Sequence, residues 1–265
     1  MDLGPIDLDL TLDCGQAFRW KLNDYVWSGV VRGKLVGLKQ HGRKVDVETE
    51  LPSREIESYF RTDDDLEEIG RQLDLDPVVR ELRKRLSGLR LLRQEPWECS
   101  ASFLLATNAN VPRIKKMIES VCERFGHEVA PGLFSFPTPK EILNNGNAAE
   151  KCGLGYRCGR FVEFAEEGAK GHLRFDSWRS KPYEGCVESL KRFDGVGDKV
   201  ADCIALFCLD HLEAFPIDVH IGRILEEKYG ISESYKTLGR WAREHFGAYA
   251  GYAQEYLYVS ARPRT

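Results

Sequence analysis

The chain has 265 residues, long enough for a large buried core and intermediate in size between one large domain and two small ones. Hydrophobic residues make up 42% and charged residues 30%, as in ordinary globular proteins. No run approaches the roughly 18 apolar residues of a membrane helix. The N-terminus also lacks the basic start and apolar run of a secretory signal. These features argue against a membrane or secreted protein, and we expect a cytoplasmic one.

The charge balance argues mildly against nucleic-acid binding, because the formal net charge is −4 and nucleic-acid-binding proteins are usually basic. Binding requires only a local basic face, however, and the charges are unevenly distributed. Acidic residues cluster over residues 63–68, whereas cations cluster over residues 80–93 and 113–116. A basic surface is therefore compatible with the acidic total.

The cysteines are dispersed and form no Cys-x-x-Cys pair, which argues against a zinc ribbon and, in a cytosolic chain, against a disulfide framework. We expect free, mostly buried thiols. The eight positions are Cys14, Cys99, Cys122, Cys152, Cys158, Cys186, Cys203 and Cys208.

The first fifth of the chain has the pattern of an antiparallel meander. Within residues 6–50, short β-prone runs alternate with turn-like segments. The predicted strands lie at residues 18–20, 25–31 and 35–38, and the turns at residues 23–24, 32–34 and 41–44.

The pattern changes to helical spacing at Ser53, Pro77 fits the first turn of a further helix, and Pro96 marks a boundary. The chain after Pro96 is predicted to be all-helical. The predicted helices cover residues 97–107, 111–125, 139–145, 147–152, 159–169, 176–180, 183–190, 199–210, 219–229, 235–245 and 249–261. We expect an α+β protein with a sheet domain over residues 1–95, a helical domain over residues 96–265, and frayed residues 262–265.

The most informative segment is a helix–hairpin–helix pattern over residues 190–204. Gly195 and Gly197 allow a tight turn and leave backbone N–H groups unobstructed, immediately before a helix that carries Lys199. The N–H groups at a helix N-terminus suit a phosphate. A Gly-x-Gly turn alone is weak evidence, because helix turns that contain glycine are common. About twenty residues further on, however, a second helix entrance carries Asp218 and His220.

This combination resembles the helix-hairpin-helix glycosylase superfamily, and the closer resemblance is to the 8-oxoguanine DNA glycosylase/lyase family. It extends over nearly the whole chain, and members have a small antiparallel-sheet domain before two helical lobes. The matching segments are Gly15-Gln16-Ala17-Phe18-Arg19-Trp20, residues 107–114, Gly155-Tyr156-Arg157 and residues 252–258. The chain departs from the family pattern at Ala109, Asp194 and Tyr258, where many relatives have Asn, Pro and Phe. These departures leave the fine substrate preference open.

The resemblance implies catalytic roles for Lys199 and Asp218. Lys199 would attack C1′ of a flipped nucleotide, displace the base and leave a Schiff base that eliminates the 3′ phosphate. Asp218 would stabilise the positively charged sugar or move protons. A solvated or phosphate-bound lysine and a helix-capping aspartate are the alternatives. Asp202 is interpreted as structural, either paired with Lys199 or facing solvent.

The resemblance also implies a base pocket. Cys203 and Tyr258 would pack against the two faces of the flipped base, and Gln254 would bind its Watson–Crick edge. The carbonyl of Gly15 would accept a hydrogen bond from N7–H, which 8-oxoguanine has and guanine lacks. Core packing is the alternative for Cys203 and Tyr258, and a simple strand bulge is the alternative for Gly15.

A third set of residues is expected to contact the DNA around the flipped nucleotide. Some would fill the vacated stack and contact the estranged base, namely Asn108, Arg113, Tyr156 and Arg157. Others would contact phosphates, namely Gly195, Gly197 and His220. A solvated loop and a structural histidine are the alternatives.

The expected partner is duplex DNA that contains oxidised guanine, bound by a monomer in the nucleoid or the nucleus. We expect no cofactor: no cysteine follows Cys208, which excludes the four-cysteine iron–sulfur cluster of endonuclease III-type relatives. A cation held by hairpin carbonyls stays open. The alternative functions are a glycosylase for another damaged base and a non-catalytic DNA-binding module. Such a module would need the glycines but neither Lys199 nor Asp218.

Overall fold

The N-terminal part of the computed structural model is a four-stranded antiparallel meander in the order β1-β2-β3-β4. The structure describes residues 1–261, without the side chains of residues 146 and 147. The expected fraying of residues 262–265 lies outside this range. The strands are β1 Lys21–Asn23, β2 Val26–Val31, β3 Lys34–His41 and β4 Lys44–Thr49. Trp27 pairs with Leu38 across β2 and β3, and both side chains face the core. The predicted α+β class is confirmed.

Two predictions in this region are wrong. Residues 18–20 form no strand, because the first strand begins at Lys21. Residues Leu8–Leu12 form helix α1, although the meander was predicted to start at residue 6. The alternation of leucine with polar residues there imitates a strand. The buried positions Leu8, Thr11 and Leu12 have helical spacing, however, and Asp7 caps the helix by accepting a hydrogen bond from the Leu10 amide.

Three helices connect the sheet to Pro96, namely α2 Ser53–Tyr59, α3 Leu66–Leu73 and α4 Pro77–Arg85. The structure confirms Ser53 as a helix start and Pro77 at the first turn of α4. Asp65 and Asp76 cap α3 and α4 through their carboxylates. Local signals therefore set where these helices begin.

The remaining helices start and end within about two residues of the predicted bounds. They are α5 Pro96–Leu105, α6 Val111–Phe125, α7 Pro139–Asn144, α8 Arg157–Ala169, α9 Phe175–Arg179, α10 Tyr183–Leu190, α11 Asp198–Cys208, α12 Val219–Tyr229, α13 Tyr235–Phe246 and α14 Ala250–Ala261, with 3₁₀ helices Gly146–Cys152 and Gly247–Tyr249. The all-helical expectation is wrong at a hairpin of β5 Glu128–Ala130 and β6 Leu133–Phe134. Strands this short produce no readable alternation, and Gly132, with φ +72°, is the local turn signal.

Two hydrophobic cores organise the chain. The smaller core lies under the sheet and includes Trp20, Leu38 and Phe60. The larger core joins the helices, but it also contains Cys14 and Phe18 from the N-terminal segment. Residues from both sides of the predicted boundary at residues 95 and 96 therefore share one core, and that boundary stays a prediction.

All eight cysteines are free thiols, and all except Cys158 are buried, in agreement with the sequence-based expectation. Across residues 1–261, no helix combines the length and apolarity that crossing a bilayer requires.

A buried ion-pair network connects the N-terminal part to the helical part. The Arg61 side chain is 1% exposed, and its Nη2 lies 2.6 Å from Asp210 Oδ1. Arg93 Nε lies 2.7 Å from the same oxygen. Arg61 also pairs with Asp64, whose Oδ2 accepts a 2.6 Å hydrogen bond from the Tyr252 hydroxyl on α14. The network therefore joins the α2–α3 connection to two segments of the helical part.

We predict that Asp210→Asn lowers the free energy of unfolding by about 2–3 kcal/mol, because it leaves the buried Arg61 guanidinium without its nearest carboxylate. This loss lies below the roughly 3–5 kcal/mol of a fully buried pair, since the Asp210 side chain is 29% exposed. Asparagine tolerates the φ of +63° at this position, so the backbone is not strained. Urea denaturation measures the change. Glu81→Gln, which removes an exposed pair with Lys84, is the control and should leave stability unchanged. An equal loss in both variants would contradict the role of the network.

Candidate active site

The hairpin before α11 requires glycine at one of its two positions. Gly195 has φ +82°, in the left-handed region that favours glycine. A Cβ there would lie 2.7 Å from Leu104 Cδ1 and 2.9 Å from Arg160 Cδ. The turn and the packing beneath it therefore both exclude a side chain.

Gly197 differs, because no atom of the described residues occupies the space that a side chain there would take. It is the N-cap of α11 with φ −83°, and a Cβ there would meet no atom within 4 Å. No side chain caps α11, whereas Asp218 caps α12 and Ser234 caps α13. The first-turn amides of α11 are thus open to an external anion, and a side chain at Gly197 would obstruct only a ligand.

Lys199, near the start of α11, is half-buried against an aromatic platform. Its Nζ lies 5.4 Å from the centroid of the Phe103 ring. Phe103 stacks on Phe207 at 5.4 Å and meets the edge of Phe18 at 5.5 Å. Phe18 belongs to the same N-terminal segment as Gly15, so this platform brings that segment close to Lys199.

Cys203 lies one helical turn after Lys199 and is buried. Burial raises the pKa of the Cys203 thiol to about 11, the Lys199 amine opposes that rise, and the Asp218 carboxylate adds to it. The amine and the carboxylate therefore both lie within electrostatic range of the thiol, and the roles of these three groups stay predictions.

Asp218 caps α12, and its Oδ1 accepts hydrogen bonds of 2.9 Å from the amides of His220 and Ile221. The cap was one interpretation of this residue, and it is compatible with catalysis because it fixes the carboxylate. The cap uses Oδ1 and leaves Oδ2 for a ligand. The His220 side chain is exposed at the same helix entrance.

Asp202 is structural, as predicted, but neither proposed environment is right. It is 1% exposed and accepts hydrogen bonds from the hydroxyls of Tyr183 and Tyr235, the latter at 2.6 Å. Burial raises the pKa of this carboxyl, and the two phenols oppose that rise. Asp202 therefore neither pairs with Lys199 nor faces solvent.

Gln254 on α14 is 5% exposed, and its Oε1 is buried without a hydrogen-bond partner among residues 1–261. Such an atom is uncommon in folded proteins and suits a ligand donor. The neighbouring Glu255 lies against Cys14: burial raises the pKa of that thiol, and the Glu255 carboxylate raises it further. Helix α14 therefore packs beside the segment that carries Gly15.

Gly15 has φ +101° and lies ahead of β1, so the strand-bulge alternative is wrong. Tyr258 is half-buried on α14, one turn after Gln254, and packs against the larger core. Contact of either residue with a base stays a prediction.

A second surface carries an exposed aromatic ring. Tyr156 is 58% exposed, and its hydroxyl accepts from Asn108 Nδ2 and donates to the Thr107 carbonyl, both at 3.2 Å. The Arg157 guanidinium lies 4.4 Å from the Tyr156 ring centroid. Asn108 has φ +51°, so this loop has an unusual backbone conformation as well.

Arg157 holds that loop from beneath and is itself buried. Its Nε donates to the Thr107 carbonyl at 2.8 Å, and its Nη2 donates to the Asn108 carbonyl at 3.1 Å. The solvated-loop alternative is therefore wrong for Arg157, and its contact with an estranged base stays a prediction. Arg113 is exposed at the start of α6, where Asn110 caps the helix.

A contact that was not predicted from the sequence links these two surfaces. Arg160 on α8 pairs with Asp194 in the hairpin through Nε and Oδ2 at 2.9 Å. Asp194 stands where many proteins of the similar family have proline. Neither residue carries a signal that predicts its partner, because they are distant in sequence. Across residues 1–261, no three histidine, cysteine or acidic side chains are grouped to hold a metal ion.

Comparisons with known proteins agree with this geometry. Residues 1–99 match the family described as 8-oxoguanine DNA glycosylase, N-terminal domain. An N-glycosylase/DNA lyase of Arabidopsis thaliana is 32% identical over 97% of this chain and 78% of its own length. The solved 8-oxoguanine glycosylase/lyase of Clostridium acetobutylicum, bound to DNA with cytosine opposite 8-oxoguanine, is 31% identical. Its TM-score is 0.89, over 97% of this chain and 92% of that one. A 3-methyladenine DNA glycosylase of Archaeoglobus fulgidus shares the fold, with TM-score 0.80 at 23% identity over 97% of this chain and 96% of its own.

We predict that Gly195→Ala lowers the free energy of unfolding by about 1–3 kcal/mol, because the new methyl group overlaps Leu104 at a left-handed backbone position. Gly197→Ala meets no atom and should change stability by less than about 0.5 kcal/mol. Urea unfolding of the two variants makes the comparison. A destabilised Gly197→Ala would show that the internal structure requires this glycine after all.

Proposed function

The chain belongs to the 8-oxoguanine DNA glycosylase/lyase family, and on that basis we infer that it excises 8-oxoguanine from duplex DNA and then cleaves the strand as an AP lyase. The observation that supports the catalytic part most directly is that the Lys199 amine and the Asp218 carboxylate both lie within electrostatic range of the Cys203 thiol, beside an open helix N-terminus. A module that only binds the DNA backbone would need neither Lys199 nor Asp218.

Lys199 is the proposed nucleophile. Its neutral amine forms a bond to C1′ of the flipped nucleotide while the glycosidic bond to the base breaks, and the base leaves with the bonding electrons and takes up a proton. The amine then loses a proton, its electron pair forms the C1′=N bond of a Schiff base, and the C1′–O4′ bond breaks as O4′ takes up a proton. Removal of a C2′ proton then expels the 3′ phosphate. The Phe103 ring, 5.4 Å from Nζ, covers one side of the amine and leaves the other side for the sugar.

Asp218 is proposed to stabilise the positive charge that develops on the sugar. The two amide hydrogen bonds to Oδ1 fix the carboxylate before the substrate arrives, which is the condition for effective electrostatic stabilisation. Capping and catalysis are therefore two uses of one fixed group.

Gln254, Gly15, Cys203 and Tyr258 are proposed to enclose the flipped base. The buried, unpartnered Oε1 of Gln254 supports this, because an N–H on the Watson–Crick edge of the base would satisfy it. The Gly15 carbonyl would accept from N7–H and so distinguish 8-oxoguanine from guanine. Flipping a nucleotide out of the duplex costs roughly a few kcal/mol, and glycosylases are among the enzymes for which this cost is general. The pocket contacts must therefore offset it.

The DNA around the lesion is proposed to lie across the second surface and the hairpin. Tyr156 is exposed and braced by Asn108 and Arg157, which suits insertion into the vacated stack. The exposed Arg113 would contact the estranged base from the start of α6. The phosphate contacts are assigned to Gly195, Gly197 and His220, on the open amides of α11 and the exposed start of α12.

From this function we expect the protein to be associated with DNA, in a nucleoid or a nucleus. A glycosylase for another damaged base is the alternative within the same fold, and the base-specific experiment below separates the two.

We predict that Lys199→Gln abolishes both base release and strand cleavage, because glutamine offers no nucleophilic amine. Borohydride should trap wild-type protein on 8-oxoguanine duplex as a covalent complex and should trap none of the variant. Binding to the duplex should survive, since Lys199 is expected to make few contacts with the DNA backbone. Lys228→Gln, an exposed lysine in the last turn of α12, is the matched control and should be trapped like the wild type. Strand cleavage at the wild-type rate in Lys199→Gln would refute the assignment.

We predict that Gln254→Ala slows excision of 8-oxoguanine more than it slows lyase action at an abasic site. An abasic sugar has no Watson–Crick edge, whereas the base would lose a buried partner worth about 1–3 kcal/mol. Single-turnover rates on the two substrates give the comparison. Equal losses on both would mean that Gln254 supports the fold and does not read the base. A loss confined to another lesion would indicate a different base specificity.

A further inference from the structure

The Tyr235 hydroxyl joins the two segments that carry the proposed catalytic groups. It donates a 2.6 Å hydrogen bond to Asp202 Oδ2 on α11, the helix of Lys199. The same hydroxyl accepts a 3.3 Å hydrogen bond from the amide of Ile217, the residue immediately before Asp218. One oxygen atom on α13 thus spans the gap between the Lys199 helix and the backbone that leads into Asp218.

The anchor of this bridge is rigid. Asp202 is buried and also accepts a hydrogen bond from the Tyr183 hydroxyl, which in turn accepts from Arg243 Nη1 at 3.0 Å. Burial and the adjacent Asp202 carboxylate raise the pKa of both phenols, so each hydroxyl keeps its proton and donates. Tyr235 is itself fixed as the first residue of α13, which Ser234 caps. A carboxylate held by two phenols has little freedom to move.

The cap on α12 does not determine where Asp218 lies relative to Lys199. Its two hydrogen bonds fix Asp218 relative to its own helix, and they do not fix that helix relative to α11. Residues 209–218 separate the two elements along the chain. Core packing positions the two helices, and the Tyr235 bridge adds a directional constraint, because it reaches the backbone next to Asp218 from a residue three positions after Lys199.

We propose that Tyr235 is a positioning residue for base release, whose hydroxyl sets the distance between the Asp218 carboxylate and the Lys199 amine. Tyr235 contacts neither the DNA nor the base in this assignment, and it acts through Ile217 and Asp202. The proposal rests on the proposed function. A displacement of catalytic groups by about 1 Å can lower the rate by about 100-fold, so the loss of one bridging hydroxyl should be measurable.

The test compares Tyr235→Phe with Tyr183→Phe. Both variants remove one phenol from Asp202, but only the first also removes the acceptor of the Ile217 amide. Tyr235→Phe should slow single-turnover excision of 8-oxoguanine by about tenfold, with the dissociation constant for duplex changed by less than about twofold. Tyr183→Phe should slow excision by less than about threefold. Equal losses in the two variants would overturn the proposal, because they would show that Asp202 matters only for the fold.

A double-mutant cycle with Asp218→Asn distinguishes an action of Tyr235 through Asp218 from a purely structural role. If Tyr235 acts through Asp218, Tyr235→Phe in the Asp218→Asn background should change the residual rate by less than about twofold. Independent, multiplicative losses would overturn the proposal. If Tyr235→Phe does not fold, Asp202→Asn replaces it in the same cycle. Asparagine keeps the shape of the side chain and removes the charge that binds the Tyr235 hydroxyl. The same two outcomes then support or overturn the proposal.

Failure of this inference is distinguishable from failure of the proposed function. Wild-type protein that forms no borohydride-trapped complex with 8-oxoguanine duplex would refute the function itself. Wild-type protein that is trapped, together with matched losses in Tyr235→Phe and Tyr183→Phe, would refute only the role of Tyr235.

Discussion

The ion pairs around Asp210 are the constraint on which the arrangement of the site depends. Its carboxylate holds Arg61 and Arg93 from the N-terminal part against a loop of the helical part. Through Asp64 the same network reaches Tyr252 on α14, two residues before Gln254. Breaking such a network leaves buried charge uncompensated, which folded proteins rarely tolerate. The network therefore holds α14 and the α2–α3 connection of the N-terminal part in a fixed relation to each other.

Within that frame, the proposed catalytic and base-reading groups lie on different elements. Lys199 and Asp218 belong to α11 and the entrance of α12, whereas Gln254 belongs to α14 and Gly15 precedes the sheet. The Phe18–Phe103 contact joins the two sets. Under the proposed assignment, this separation would allow the base preference to change without altering Lys199. The 3-methyladenine glycosylase of Archaeoglobus fulgidus shares the same fold at 23% identity.

Much of this organisation could be predicted from sequence, because caps, glycine turns and helical spacing are local signals. The hairpin, the Lys199 helix and the Asp218 cap are examples. The Tyr235–Asp202 and Arg160–Asp194 contacts could not be predicted, since they join residues that only the tertiary fold brings together. Helix α1 was missed for another reason: five residues with alternating leucines fit a strand and a helix equally well.

The exposed ring of Tyr156 has a consequence for how the protein would search DNA. The ring already stands in solvent, supported by the Arg157 guanidinium and tied to its loop through its hydroxyl. Inserting it between bases would therefore require no prior unfolding or release of the ring from a core, and its apolar surface would leave water only at that moment. Insertion of the ring at a given base pair would then depend on how easily that pair separates. Damaged or mismatched pairs, which open most readily, would be sampled more deeply than intact ones even before the pocket reads the base.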